Sequence, residues 1–152
     1  MKRIRSIADY QFGKGMGKKL FPKNVQVVYS RRTGRIRYIY LEGKRLATMR
    51  PTDSLFSLSI AGARRIPRKT RQAKCFVRVR EDISKFVAAG GDVFAKHIVE
   101  ADDEIRAKDE VIVVNRSNKV LAVGRSVLSG GEMQAFRNGA AVKVRRGCME
   151  EG

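Results

Sequence analysis

Arg31, Arg32, Arg35 and Arg37 crowd the stretch "RRTGRIR", around a Thr33-Gly34 pair suited to a tight turn. A guanidinium presents a planar fork of donors that matches phosphate oxygens better than a lysine point charge does. A nucleic-acid backbone offers such phosphates at close spacing. The chemistry these residue types support is therefore a phosphate clamp; the alternative is a charged turn left in solvent. A second run, Arg64, Arg65, Arg68, Lys69, Arg71 and Lys74, reads the same way, with a charged linker surface as its alternative. A third group, Lys143, Arg145 and Arg146, lies on an alternating segment near the end of the sequence.

Groups suited to covalent chemistry are sparse. His97 is the one histidine, and the sequence sets no carboxylate or metal partner beside it. Asp53 follows "RPT" and reads as a turn cap, not a nucleophile. Cys75 and Cys148 form no CxxC pair, which argues against a zinc site and against a disulfide framework. The expectation is a protein without catalytic, cofactor or metal sites. No apolar stretch reaches membrane-spanning length, and the basic start "MKRIRSIADYQFGKGMG" lacks the apolar core of a signal peptide. A cytoplasmic protein is expected.

The charge is lopsided. The 152 residues carry a formal net charge of +18. Residues 1–80 hold 22 Lys and Arg against three Asp and Glu, whereas residues 81–152 are nearly balanced. A solvated face mixes signs, so the excess points to a polyanionic partner.

Residues 1–70 predict a small α+β domain. "IRSIADYQF" has helical spacing, and "GKGMGKKLFPKN" reads as a loop or broken helical turn. "VQVVYS", "IRYIYLEG" and "RLATMR" predict antiparallel strands, with Ile36, Tyr38 and Tyr40 on one face. The tyrosines could stack on unpaired bases or be core residues with surface hydroxyls. "SLFSLSIAG" predicts a strand with Phe56, Leu58 and Ile60 on one side, and "AGARRI" a short helix.

Residues 75–147 predict a second domain. Val77 and Val79 face inward on a strand, and Ile83, Phe86 and Val87 form a helical stripe that Gly90 ends. "VFAKHIV" predicts one strand with Phe94 in the core, and "EVIVVN" a strand covered on both faces. Ser129 and Glu132 have capping-box spacing, Leu128 and Met133 a hydrophobic staple, and Met133 with Phe136 should cover the core. The whole predicts a barrel-like sheet with capping helices that displays Lys143, Arg145 and Arg146 on a rigid strand edge.

Three segments of this second domain resemble a PUA domain, the RNA-binding module of pseudouridine synthases and archaeosine transglycosylases. They are "VREDISKFVAAGGDVFAKHIV", "IRAKDEVIVVN" and "VLAVGRSVLSGGEMQAFRNGAAVKVR". Upstream, "IADYQFG", "SRRTGRIRYI" and "LATMRPTDSLFSLSIAGA" resemble the C-terminal region of archaeal tRNA-guanine transglycosylase and of the related archaeosine synthase, where a small α/β domain precedes the PUA domain. Nothing resembles that family's catalytic (β/α) barrel or its cysteine-rich zinc site. The PUA resemblance implies that RNA meets the glycine loop at Gly90 and Gly91, then Phe94 and Lys96, then Arg145 and Arg146. Asp82, Asp92 and the acidic run from Glu100 to Glu104 flank that surface.

The expected function is therefore RNA binding, with tRNA as the partner, in an accessory or stand-alone subunit for tRNA modification in the archaeosine pathway. A separate tRNA-modifying enzyme is the implied second partner. The rivals are a ribosome- or translation-associated PUA factor and an RNA-modifying enzyme in its own right.

Overall fold

A computed structural model describes residues 1–67 and 73–150. The chain divides into two compact units, Met1–Ala73 and Lys74–Gly152. Arg68, Lys69 and Arg71 lie outside the described residues.

The first unit opens with α1 (Lys2–Phe12), which buries Ile4, Ala8 and Phe12 at four-residue intervals. The glycine-rich stretch after it turns back into a short helix, α2 (Met16–Leu20). Asp9 explains the turn: its carboxylate accepts a hydrogen bond from the Gly17 amide at 2.6 Å. Gly17 has to be glycine, because a Cβ there would stand 2.2 Å from the Arg5 carbonyl oxygen.

Four antiparallel strands follow, β1 (Gln26–Tyr29), β2 (Ile36–Leu41), β3 (Lys44–Met49) and β4 (Phe56–Leu58), side by side in chain order. Glu42 and Gly43 both take positive φ, 50° and 80°, as the two-residue hairpin between β2 and β3 requires. Ile36, Tyr38 and Tyr40 do alternate together, but on the outer face; Ile39 is the fully buried residue of β2. Phe56, Leu58 and Ile60 are all buried, although Ile60 already belongs to α3 (Ile60–Arg64). The Ser59 hydroxyl caps that helix by accepting from the Gly62 amide at 3.0 Å. The free edge of β4 is closed by one side chain. The Gln11 amide donates to the Phe56 carbonyl at 3.0 Å and accepts from the Phe56 N–H at 2.7 Å.

The second unit contains β5 (Phe76–Val79), α4 (Ser84–Ala88), β6 (Val93–Phe94), β7 (Ile98–Ala101), β8 (Glu110–Val114), β9 (Val120–Ser126), α5 (Gly130–Ala135) and β10 (Ala140–Gly147). The sheet order is β6-β10-β9-β8-β5-β7, antiparallel except between β5 and β8. Its two edge strands, β6 and β7, are consecutive in the chain, so the sheet nearly closes into a barrel. The expected single strand "VFAKHIV" is thus two strands split by a 3-10 turn, Ala95–His97. The reason is pairing: the Ala95 amide donates to Gly139 beside β10, while the His97 carbonyl accepts from Arg80 beside β5.

The core is Val77, Val79, Val87, Val111, Val113, Ala122 and Val142 with Met133, all buried. Every residue of β8 is buried, which matches its unbroken apolar run. The capping box on α5 is complete. Glu132 N–H donates to the Ser129 hydroxyl at 3.2 Å, and Ser129 N–H donates to the Glu132 carboxylate at 2.9 Å. Phe94 and Phe136, expected in the core, are instead exposed at 38% and 46%, and Phe86 of the helical stripe is exposed at 54%. α4 is too short to bury more than Val87 and Ala88. On β6 the inward position goes to Val93. Phe136 has extended dihedrals (φ −82°, ψ 142°) and so leaves the helical stripe. No helix among the described residues is long and apolar enough to cross a membrane.

Candidate nucleic-acid interface

The arginine hairpin joins β1 to β2, and Ser30 organises it. The Ser30 hydroxyl accepts from the Arg32 and Thr33 amides, each at 3.3 Å. The Ser30 carbonyl accepts from Gly34 N–H at 2.8 Å, and its own N–H donates to the Arg35 carbonyl at 2.7 Å. Gly34 closes the turn at φ +72°. This ring of bonds fixes the backbone and leaves all four arginine side chains, 31, 32, 35 and 37, exposed. None of the four is paired with a carboxylate among the described residues. The Arg37 guanidinium carbon lies 5.2 Å from the centre of the Tyr38 ring, and its hydrogen bond and charge pull the Tyr38 hydroxyl below its usual pKa.

The second basic run is divided in its tasks. Arg64 is exposed on the last turn of α3. Arg65 is half-buried, and its Nε donates to the Lys19 and Leu20 carbonyls at 3.1 and 3.2 Å, so it satisfies the C-terminal end of α2. Sequence spacing could not separate these neighbours, because the difference depends on a helix 45 residues away.

In the second unit, α4 runs out at Gly90, which takes φ +107°. Its amide donates to Val87 O, and the Gly91 amide to Phe86 O, both at 2.9 Å. The two glycines are covered by the chain itself. The Phe86 ring would meet a Cβ on Gly91 at 2.3 Å, and the Glu150 carboxylate would meet one on Gly90 at 2.7 Å. That carboxylate also accepts from Gly147 N–H at 2.7 Å. Gly147 ends β10 and packs on the Ala88 carbonyl, so Arg146 stands beside the glycine loop.

Arg145 has a fixed structural partner. Its guanidinium forks onto the Glu110 carboxylate at 3.0 and 2.5 Å, and Glu110 is only 2% exposed. Lys143 and Arg146 project from β10 into solvent. Lys143 pairs in register with Arg125 of β9, a basic residue that sequence reasoning passed over although the "VGRS" alternation carries it outward. Lys96 sits elsewhere. Its 3-10 turn abuts Gly139, at the far end of β10 from Arg146, about 20 Å away at strand rise. Lys96 helps line a groove of about 480 Å³ with Val99, Phe136 and Arg137.

His97 is half-buried and meets the Phe94 ring edge-on at 5.9 Å. Its Nδ1 is buried and has no hydrogen-bond partner. Burial lowers its pKa first, followed by the Lys96 and Arg80 charges, with Asp82 opposing. Asp53 caps its turn by accepting from Leu55 N–H at 3.0 Å and pairing with Arg50 at 3.2 Å. Among the described residues, no group of three or more His, Cys, Asp or Glu could hold a metal ion.

A nearly closed six-stranded barrel with short helices is the build of a PUA domain, and residues 76–148 match that family. Residues 2–72 match the patch-forming domain C2 of tRNA-guanine transglycosylase. The chain thus carries these two domains in succession. It is 45% identical over 148 residues to a tRNA-guanine(15) transglycosylase of Methanobrevibacter smithii, covering 97% of this chain and 22% of that protein. It is likewise 45% identical over 146 residues to the enzyme of the same name from Thermococcus kodakarensis, covering 96% and 25%. The chain therefore spans about a quarter of the length of these relatives, and its described residues contain no (β/α) barrel. A crystal structure of a hypothetical protein from Pyrococcus horikoshii superposes with a TM-score of 0.79 at 26% identity, over 99% of this chain and 90% of that one. That archaeal protein thus consists almost wholly of the same two-domain build.

Proposed function

We propose that this chain is an RNA-binding protein of tRNA modification that holds folded tRNA for a separate modifying enzyme. The observation that carries the reading is the match itself. Residues 2–72 and 76–148 match the C2 and PUA domains, and relatives matched over nearly the whole chain are named as tRNA-guanine(15) transglycosylases. The P. horikoshii structure supports a stand-alone role, because these two domains make up 90% of that chain.

The physical division of labour follows from charge and rigidity. The hairpin residues Arg31, Arg32, Arg35 and Arg37, with Arg64, Arg68 and Arg71, neutralise phosphates. Gly90, Gly91, Lys143 and Arg146 orient a stem end on the PUA surface, with Arg145 held in place by Glu110. Lys96 contributes at the other end of β10. A-form RNA is read by shape, phosphates and 2′-hydroxyls, which suits short rigid sheets with exposed guanidinium groups. The protein acts in the cytoplasm and leaves the chemistry to its partner.

The test is filter binding of the purified chain to tRNA transcripts at low salt, paired with affinity capture from native extract. Tight tRNA binding and recovery of a base-modifying enzyme are expected. Failure to bind tRNA at low salt overturns the proposal. Co-sedimentation with a ribosomal subunit in place of tRNA capture assigns the protein to translation.

A further inference from the structure

We infer that the outer face of the N-terminal sheet is a stacking platform for unpaired bases. The inner face is closed: Ile39, Ala47, Met49, Phe56 and Leu58 are all buried. On the outer face, strand register lines up Val28, Tyr38, Thr48 and Ser57 across all four strands. Beside that row stand Gln26, Tyr40 and Arg45. None of these seven side chains is buried, although Tyr38, Tyr40, Arg45 and Thr48 lie on the two central strands. Tyr38 and Tyr40 are set edge to face, 6.1 Å apart at 64°, and Arg37 reaches over Tyr38. The rings are held in place before anything binds.

Charge selects the occupant. Residues 24–50 carry seven Lys and Arg and a single acidic residue, Glu42. A second copy of this chain would bring like charge against like. A strand of RNA supplies both what the rings need, a π face, and what the arginines need, a phosphate. Bases stack on aromatic side chains with little regard to sequence, but only when they are unpaired. The face therefore takes single-stranded residues, while the adjoining hairpin holds their backbone. The inference rests on the RNA-binding reading and extends it to a surface outside the PUA domain.

Tyrosine emission is a direct readout, because the chain has four tyrosines and no tryptophan. The probes are an oligouridylate single strand and a blunt RNA duplex of equal length, titrated against the whole purified chain. The single strand should quench tyrosine emission and the duplex should not. The Tyr38→Leu/Tyr40→Leu pair keeps an apolar side chain at both positions but removes the rings, and should lose about tenfold or more in oligouridylate affinity. Its salt slope and its duplex affinity should not change, since no phosphate contact is removed. The Tyr38→Phe/Tyr40→Phe pair should bind as wild type does. A folded Leu pair with unchanged oligouridylate affinity overturns the inference, as does equal loss for both probes. A wild-type dimer that the Leu pair dissolves gives the face to a second copy, and so overturns it too. Should the Leu pair fail to fold, quenching in the unmutated protein still decides. Wild type that binds the duplex but neither binds nor is quenched by the single strand refutes the platform and leaves tRNA binding standing. Wild type that binds neither probe refutes both.

Discussion

Arg145 of β10 forks onto Glu110 of β8, the guanidinium partly in solvent and the carboxylate sealed from it. Arg145 is thus a poor candidate for a purely RNA-facing role. Arg145→Ala takes the forked guanidinium away from a buried carboxylate. It should destabilise the protein by about 2 kcal/mol, below the range for fully buried pairs because the arginine is partly solvated. Glu110→Gln in the same background should restore much of the loss. Arg146→Ala should leave the urea midpoint unchanged and weaken RNA binding. Equal stability of Arg145→Ala and wild type in urea would show that the pair holds nothing together.

The hairpin makes the opposite case. Arg31, Arg32 and Arg35 are exposed and carry no ion pair among the described residues, so replacing all three with alanine should leave thermal stability intact. RNA affinity should fall, and the slope of log affinity against log salt should shrink by up to about one unit per lost phosphate contact. Binding isotherms at several salt concentrations check this. Unchanged affinity and slope in the folded triple variant would remove the hairpin from the interface.

Some of this was legible in the sequence, and the reason differs by element. β8 and the α5 cap could be read directly because their signals are local: an unbroken apolar run, and two polar side chains three residues apart. Tyr38 and Tyr40 were placed on one face by the period of two, but periodicity alone cannot say which face turns inward. Ile39 decides that by packing against the core. The fate of Arg65 and Arg145 was not legible, since each answers to a partner far along the chain, Leu20 and Glu110. The split of "VFAKHIV" also depends on distant pairing, with Gly139 on one side and Arg80 on the other.

His97 should leave a signature in the pH dependence of stability. Its pKa is lowered in the folded state, mainly by burial, so the unfolded chain binds the proton more readily. The neutral form's advantage is therefore complete above the unfolded value of about 6.5. It is lost as pH falls from there toward the lower folded value. His97→Phe removes that term. The difference in Tm between wild type and variant should shift against wild type on acidification through this window. A difference that stays constant with pH would mean that the imidazole titrates alike in both states.

Glu150 lies against Gly90 and accepts from Gly147 N–H, so a carboxylate already fills the place where the PUA resemblance sets an RNA backbone. A phosphate brought there meets like charge. Two unit charges about 4 Å apart in water interact by about 1 kcal/mol, which is about fivefold in affinity. Glu150→Gln keeps an oxygen to accept from Gly147 and removes only the charge. It should therefore raise RNA affinity about fivefold at low ionic strength, with the gain fading as salt screens the pair. Glu150→Ala also uncovers Gly90 and should gain at least as much. Competition binding of labelled tRNA to the three proteins, at low and high salt, measures both effects. Equal affinities at low salt would place the RNA away from Gly90 and remove the glycine loop from the contact surface.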